Sequence, residues 1–242
     1  MQLNSQKNIR VTTVRLILGI GLLAVPSAAT ARGAAPAVHE VEVEAASAFD
    51  AADWENVELG AVERNVFALA LEAADAAVAR GDAHAPQTLT VIDFSRPSTD
   101  KRMWVYDLRS RTLLFEELVA HGRGSGDNLP TLFSNVPDSH RSSLGLYRTG
   151  EAYIGKHGYS LRLDGLERGI NDRARERAIV IHGAAYVNTA TARTLGRLGR
   201  SLGCPAVRSE ISRPLIDAVK DGGLVFAYYP DRSWLDASTY LN

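Results

Sequence analysis

The sequence predicts a mainly β (α+β) domain, a sandwich-like sheet of mixed strands with one N-terminal helix packed outside it. Two patterns lead there. Beyond Pro86 the chain breaks into short runs rich in Val, Ile, Thr and aromatic residues, separated by turn-forming Gly, Asp, Asn and Ser. Ahead of it, apolar residues from Val57 to Val78 recur at three- and four-residue steps, the period of a helix with one buried face.

In chain order, basic Lys7, Arg10 and Arg15 precede an apolar run from Leu16 to Val25, and Ala29-Thr30-Ala31 supplies an A-x-A cleavage site. This is the layout of a secretory signal peptide over residues 1–31, and its apolar run is too short for a comfortable membrane span. Cleavage leaves no stable membrane insertion; an uncleaved N-terminal anchor is the alternative. Residues 32–85 read as a flexible leader to about residue 48, followed by a helix over 53–80 that Gly81 stops. Residues 86–242 form the main domain. Its expected strands are Leu89–Phe94, a hairpin of Met103–Leu108 with Thr112–Val119, then Ser143–Tyr147, Ser160–Leu163, Ala178–Ile181 and Gly223–Tyr229. Glu210–Asp221 reads as a short helix. The loops over Gly122–Asn128 and Gly196–Gly203 are long and glycine-rich, and such loops often carry function.

Removing the signal segment takes away three basic residues and no acidic one, moving the formal charge from −1 to about −4. A mildly acidic chain without basic clusters argues against a nucleic-acid partner. Oligomeric state is not readable from the sequence.

The chain has one cysteine, Cys204, in Arg200-Ser201-Leu202-Gly203-Cys204-Pro205. Exported proteins normally pair their cysteines, and this one has no partner. Upstream, Ile179-Val180-Ile181 reads as a buried strand with His182-Gly183 at its end. A thiol attacks an amide carbonyl as thiolate, and a nearby imidazole takes its proton and later returns it to the departing amine. Gly203 permits a sharp turn, from which amides of Leu202 to Cys204 could face an oxyanion. Taken singly, Cys204 reads equally well as a buried small hydrophobe and His182 as a satisfied core histidine. Four residues, His121, His157, His182 and Cys204, are the candidate zinc ligands. They lack a closely spaced pair to seed a site, so no metal is expected.

His182-Gly183 followed by Ser201-Leu202-Gly203-Cys204 resembles the murein L,D-transpeptidase catalytic family, in its periplasmic single-domain branch. Further stretches resemble the same branch: Val91 to Ser95, His121 to Gly126, Phe133 to Asn135, Ser142 to Tyr147, Gly155 to Gly158 and Leu163 to Glu167. The resemblance covers about residues 86 to 230. It implies an L,D-transpeptidase-like β-sandwich for the fold, with residues 86–242 as catalytic domain. It also implies a two-step acyl transfer on peptidoglycan stem peptides in the periplasm or another extracytoplasmic compartment. Cys204 would attack the third stem residue, expel the terminal D-alanine, and pass the acyl group to an amine. No metal or organic cofactor is implied, and carbapenems acylate members of the family. Cys204, His182, Gly203 and Gly183 form the implied catalytic set, with a backbone carbonyl at or near Gly183 orienting His182. Two positions depart from the commonest motif: Leu202 stands where a histidine is usual, and Ala206 where an arginine is usual. Arg200 or Arg208 could supply a cation from elsewhere in the loop.

Ser201, His157, Tyr153, Ser143, Asn135 and His121 are the candidate substrate contacts. For each, a turn, cap or backbone-bonding role is the competing reading. His121 opens a glycine-rich loop, but no Lys-Ser/Thr closes it, so a phosphate site is rejected there. Asp164 and Glu167 are read as structural. The alternatives to a transpeptidase are an L,D-carboxypeptidase or other hydrolase on the same substrates, and a non-catalytic peptidoglycan-binding protein.

Overall fold

The computed structural model describes residues 49–242. The expected signal peptide and leader lie outside the described residues. Nine strands run through the described residues: β1 Thr88–Asp93, β2 Met103–Asp107, β3 Thr112–Glu117, β4 Val119–Ala120, β5 Gly145–Gly155, β6 Gly158–Gly165, β7 Val180–Gly183, β8 Ala206–Val207 and β9 Leu224–Tyr228. They join in one mixed sheet of order β3-β2-β1-β9-β5-β6-β7-β8-β4. Only β1–β9 and β7–β8 are parallel pairs. The two ends of that order, β3 and β4, are separated in the chain by Leu118 alone. One residue spans about 3.5 Å, so the edges are held together and the sheet curls into a near-barrel. The protein is mainly β, as its sequence predicts.

The helices are α1 Arg64–Ala79, α2 Thr189–Leu195, α3 Ser209–Val219 and α4 Arg232–Leu235, with a single 3-10 turn at Ala51–Trp54. α1 lies outside the sheet and packs on β1 and β9. Its buried Ala70, Ala73, Ala74 and Ala77 let it approach closely, and Phe67 meets Trp54 and Tyr106 edge-on at centroid distances of 5.0 and 4.7 Å. The helix expected from residue 53 starts only at Arg64. Between the two, Gly60 holds φ +70 against Leu113, Glu116 and Trp104. Tyr106 donates to the Leu59 carbonyl at 2.7 Å, and the Ala61 N–H donates to Glu116 at 2.9 Å. Those bonds commit the segment to the β2–β3 hairpin instead of a helical turn.

Two strands differ from the sequence pattern. β5 runs on to Gly155 through a register shift between Thr149 and Ala152. β7 begins at Val180, because Ala178 sits in the left-handed region at φ +52 and cannot be extended. α2 has no counterpart in the pattern because it buries no side chain and so shows no apolar period. Asn188 caps it, accepting from the Thr191 N–H at 2.7 Å, and Gly196 at φ +66 ends it. α3 packs across β7, β6, β5 and β1, which places its N-terminus beside the end of β7.

Candidate active site

Cys204 stands just before β8, at the end of a turn pinned from several sides. Ser201 Oγ donates to the Cys204 carbonyl at 2.7 Å and accepts from the Gly203 N–H at 3.1 Å. Ser142 Oγ donates to the Gly203 carbonyl at 3.1 Å and accepts from the Gly122 N–H at 3.0 Å. The Ser201 N–H donates to the His121 carbonyl at 3.0 Å, and the Arg123 N–H donates to the Ser201 carbonyl at 2.9 Å. Gly203 holds φ +126, where any other L-residue is strained. At Gly122 a Cβ would collide with the His140 carbonyl and lie 2.8 Å from the Gly203 Cα. The glycine-rich loop after β4 is therefore there for backbone-to-backbone approach to the elbow.

The β7–β8 register sets His182 beside Ala206. Two residues back along both segments, Cys204 comes level with Val180, whose N–H points at the sulfur. The strand that carries His182 therefore runs beside the turn that carries the thiol. Cys204 is 8% exposed and its Sγ lies 3.7 Å from the Ala178 carbonyl. His182 is 2% exposed, and its Nδ1 lies 3.0 Å from the Gly183 carbonyl. A carbonyl oxygen only accepts, so Nδ1 carries the proton. In the neutral ring Nε2 is then the free base. Gly183 leaves room for α3, since a Cβ there would fall 2.7 Å from Ser212 Oγ. Exposed His157, in the β5–β6 turn, stacks over His182 at a centroid distance of 4.4 Å and an interplanar angle of 22°.

Both groups are driven toward their neutral forms. Burial pushes the Cys204 thiol above its ordinary value of 9.0, opposed by the Val180 N–H, Arg177 and its own N–H. Burial also lowers His182, opposed by the Gly183 bond and reinforced by His157. The resting pair is thus thiol and imidazole, and a thiolate forms as the proton moves. A raised thiol pKa means the thiolate fraction climbs with pH up to and beyond 9.0. The iodoacetamide alkylation rate of Cys204 is accordingly expected to keep rising through pH 9. A plateau reached below about pH 8 would instead reveal a preformed thiolate.

The remaining sequence candidates separate. Ser201 pins the elbow. Ser143 Oγ donates to the Ser134 carbonyl at 2.8 Å and accepts from Arg177 at 2.5 Å. Asn135 ties Asp172 at 2.7 Å and the Arg173 N–H at 3.2 Å. Tyr153 packs under the Arg162 guanidinium, 4.3 Å from its ring centroid, on β5 opposite Ser160 of β6, which in turn pairs with His182. His121 is fully buried, with Nδ1 2.8 Å from Arg102. A guanidinium only donates, so Nδ1 accepts, and burial together with Arg102 lowers this histidine to about 3. It is a neutral interior group whose main chain, not side chain, reaches the elbow. Of the secondary candidates, only His157 and Tyr153 lie on the hairpin over His182. The Gly203 N–H, expected to face an oxyanion, is taken by Ser201, leaving the Cys204 N–H beside its own sulfur.

Sequence reasoning missed Arg177 and Ser142. Arg177 borders a groove of about 330 Å³ beside the elbow, shared with Asp138, His140, Ala178 and the 55% exposed Leu202. Asp138, His140 and Ala178 all hold positive φ, at 57°, 53° and 52°. Such conformations cost roughly 1–2 kcal/mol per residue, and they gather at sites where surrounding structure enforces them. The two arginines expected to supply a cation are engaged elsewhere. Arg208 forms a bidentate pair with Glu117 at 2.9 and 2.6 Å, and Arg200 binds the Gly126 carbonyl and Asp127. Among the described residues, no cluster of three or more His, Cys, Asp or Glu is placed to hold a metal ion.

Fold and site together define a mainly β domain with a lone thiol on a pinned turn beside a strand-borne imidazole. The family model of the L,D-transpeptidase catalytic domain matches residues 58–228, and the chain belongs to that family. No curated protein matches the chain. Among solved structures, L,D-transpeptidase 3 from Mycobacterium tuberculosis, in complex with a faropenem-derived adduct, is 15% identical over 60% of this chain and 61% of its own, with a TM-score of 0.37. L,D-transpeptidase 1 from the same organism is 12% identical over 59% and 62%, with a TM-score of 0.34. An L,D-transpeptidase from Stackebrandtia nassauensis is 12% identical over 68% of each chain, with a TM-score of 0.35. The chain spans about three fifths of the length of the first solved structures it matches. Membership rests on the family match, because overlaps at these scores carry no weight of their own.

Proposed function

We propose that this protein is a cysteine-dependent L,D-transpeptidase acting on peptidoglycan stem peptides outside the cytoplasm. The observation that carries the reading is the His182 tautomer: Nδ1 is committed to the Gly183 carbonyl, leaving Nε2 as base on the strand beside the only cysteine. In the first step Nε2 takes the Sγ proton and sulfur bonds to the carbonyl carbon of the third stem residue. The tetrahedral adduct collapses, the bond to the terminal D-alanine breaks, and the imidazolium proton goes to the departing amine. In the second step the side-chain amine of another stem attacks the thioester, gives a proton to Nε2, and sulfur leaves to recover the thiol. The Cys204 N–H, beside its sulfur, is placed to donate to the oxyanion; one such donor is typically worth about 3 kcal/mol of barrier.

The test uses purified protein with tetrapeptide muropeptides and, separately, a carbapenem. Cross-linked dimers and an intact-mass adduct on Cys204 are expected. Trimmed tripeptides without dimers would reassign the protein as an L,D-carboxypeptidase. Absence of both product and adduct would leave a binding protein with an inert buried thiol.

A further inference from the structure

We propose that Arg177 is the positioning cation of the Cys204 elbow, its uncompensated guanidinium receiving the sulfur's negative charge as the proton leaves for His182. The inference rests on the cysteine mechanism above. It starts from an imbalance of charge. Arg177 is half-buried, and its guanidinium donates to four neutral acceptors: the Ser134 carbonyl at 2.7 Å, Ser143 Oγ at 2.5 Å, the Arg141 carbonyl at 2.6 Å and Ser139 Oγ at 3.4 Å. Among the described residues it forms no ion pair with a carboxylate. A cation held in place without a counter-charge is suited to an anion that appears only transiently.

Its position fits that anion. A Cβ built on Gly203 would lie 3.4 Å from Arg177 Nη2, so the guanidinium borders the residue just before Cys204. The next residue, Ala178, offers its carbonyl to the sulfur at 3.7 Å. Arg177 and Cys204 accordingly feel each other's charge. Ala206 cannot serve instead, being a fully buried alanine between His182 on β7 and Ala120 on β4.

The other titratable groups around the pair do not supply this charge. His182 is the proton acceptor, with His157 stacked behind it. Tyr186, after β7, feels the sulfur and is pushed up to about 12, so it stays neutral. Tyr147 on β5 faces Arg177 and is raised further by burial. Arg173 is paired with Glu176 at 2.8 Å. When the proton passes from Sγ to Nε2, the negative charge left on sulfur has Arg177, the Val180 N–H and the Cys204 N–H around it. No other reactant is needed.

The test follows iodoacetamide alkylation of Cys204 by intact mass from pH 6 to 9, alongside Tm, in Arg177→Gln, Arg177→Lys and Ser143→Ala. Loss of the cation should raise the thiol pKa further, so Arg177→Gln is expected to slow alkylation at pH 8 about tenfold. Arg177→Lys should recover most of that rate although it cannot reproduce the four-bond brace. Ser143→Ala should keep the wild-type pH profile even with a lower Tm. The proposal is overturned if Arg177→Gln leaves the profile unchanged, or if Ser143→Ala or Arg177→Lys moves it as far as Arg177→Gln. Should Arg177→Gln fail to fold, Arg177→Lys and Ser143→Ala are read against the wild type, and a roughly tenfold slowing at pH 8 in either overturns the proposal. A wild-type protein that gives neither carbapenem adduct nor muropeptide product defeats the cysteine mechanism itself. An active wild type with an unmoved Arg177→Gln profile defeats this inference alone.

Discussion

Cys204→Ala is expected to abolish cross-linking of tetrapeptide muropeptides and to eliminate the carbapenem mass adduct, with no second site taking over. The chain holds no other thiol, and neither step of the acyl transfer has a substitute for the sulfur. The fold should survive. Cys204 contributes a small side chain to the main core, and its hydrogen bond to the Ala178 carbonyl, at 3.7 Å, is long. Truncating one small buried group of this kind costs on the order of 1 kcal/mol, which leaves Tm within a few degrees. Cys204→Ser should be equally inactive while bonding Ala178 more firmly, because a hydroxyl is a far weaker nucleophile at neutral pH. Turnover by either variant above the background of the assay would remove the thiol from the mechanism.

His182→Ala is expected to lower the rate of Cys204 acylation by about 10²–10⁴-fold, the usual worth of a positioned general base. Its pH dependence should change as well. In the wild type His182 is held below its ordinary 6.5, chiefly by burial, so base function persists into mildly acidic buffer and falls away only as the ring protonates. In the variant that acid limb disappears, and the residual rate should follow only the thiol, climbing with pH. Single-turnover acylation by a carbapenem across pH 5–9 reads both effects. An unchanged rate in a folded His182→Ala protein would place the base elsewhere, with exposed His157, stacked on His182, the next imidazole to substitute.

The motif half of this site is legible in the sequence because it is linear. His182-Gly183 and Ser201-Leu202-Gly203-Cys204 announce themselves by residue type and spacing, and the strand that carries His182 reads from its β-branched run. Arg177 is invisible for the opposite reason. It sits in a turn-rich, arginine-rich stretch, Asp172-Arg173-Ala174-Arg175-Glu176-Arg177, where nothing distinguishes one guanidinium from the next. Only the fold sends Arg175 to Asp164 and Glu151 and brings Arg177 against the elbow. Ser142 is hidden likewise, since its partners Gly122 and Gly203 come from loops that fold together only in three dimensions. His121 shows the converse failure. Its glycine-rich setting suggests an exposed loop, yet the glycines serve close backbone approach, and the ring faces inward to Arg102. The late start of α1 is a tertiary override: residues around Gly60 have helical spacing but stronger bonds to β2 and β3.

The last strand has a further meaning for when the protein can act. β9 lies between β1 and β5, so the strand ladder from the first hairpin to β5 and β6 passes through residues Leu224–Tyr228. Leu89 must find Leu224 across most of the chain's length, a long-range closure of the kind that slows folding. A nascent chain therefore has Cys204 but no finished groove around it until its C-terminal end has emerged. Shortening the chain by its final strand and tail would break the ladder between β1 and β5, leaving the two halves joined only at the β3–β4 end and through bonds such as Arg208 to Glu117.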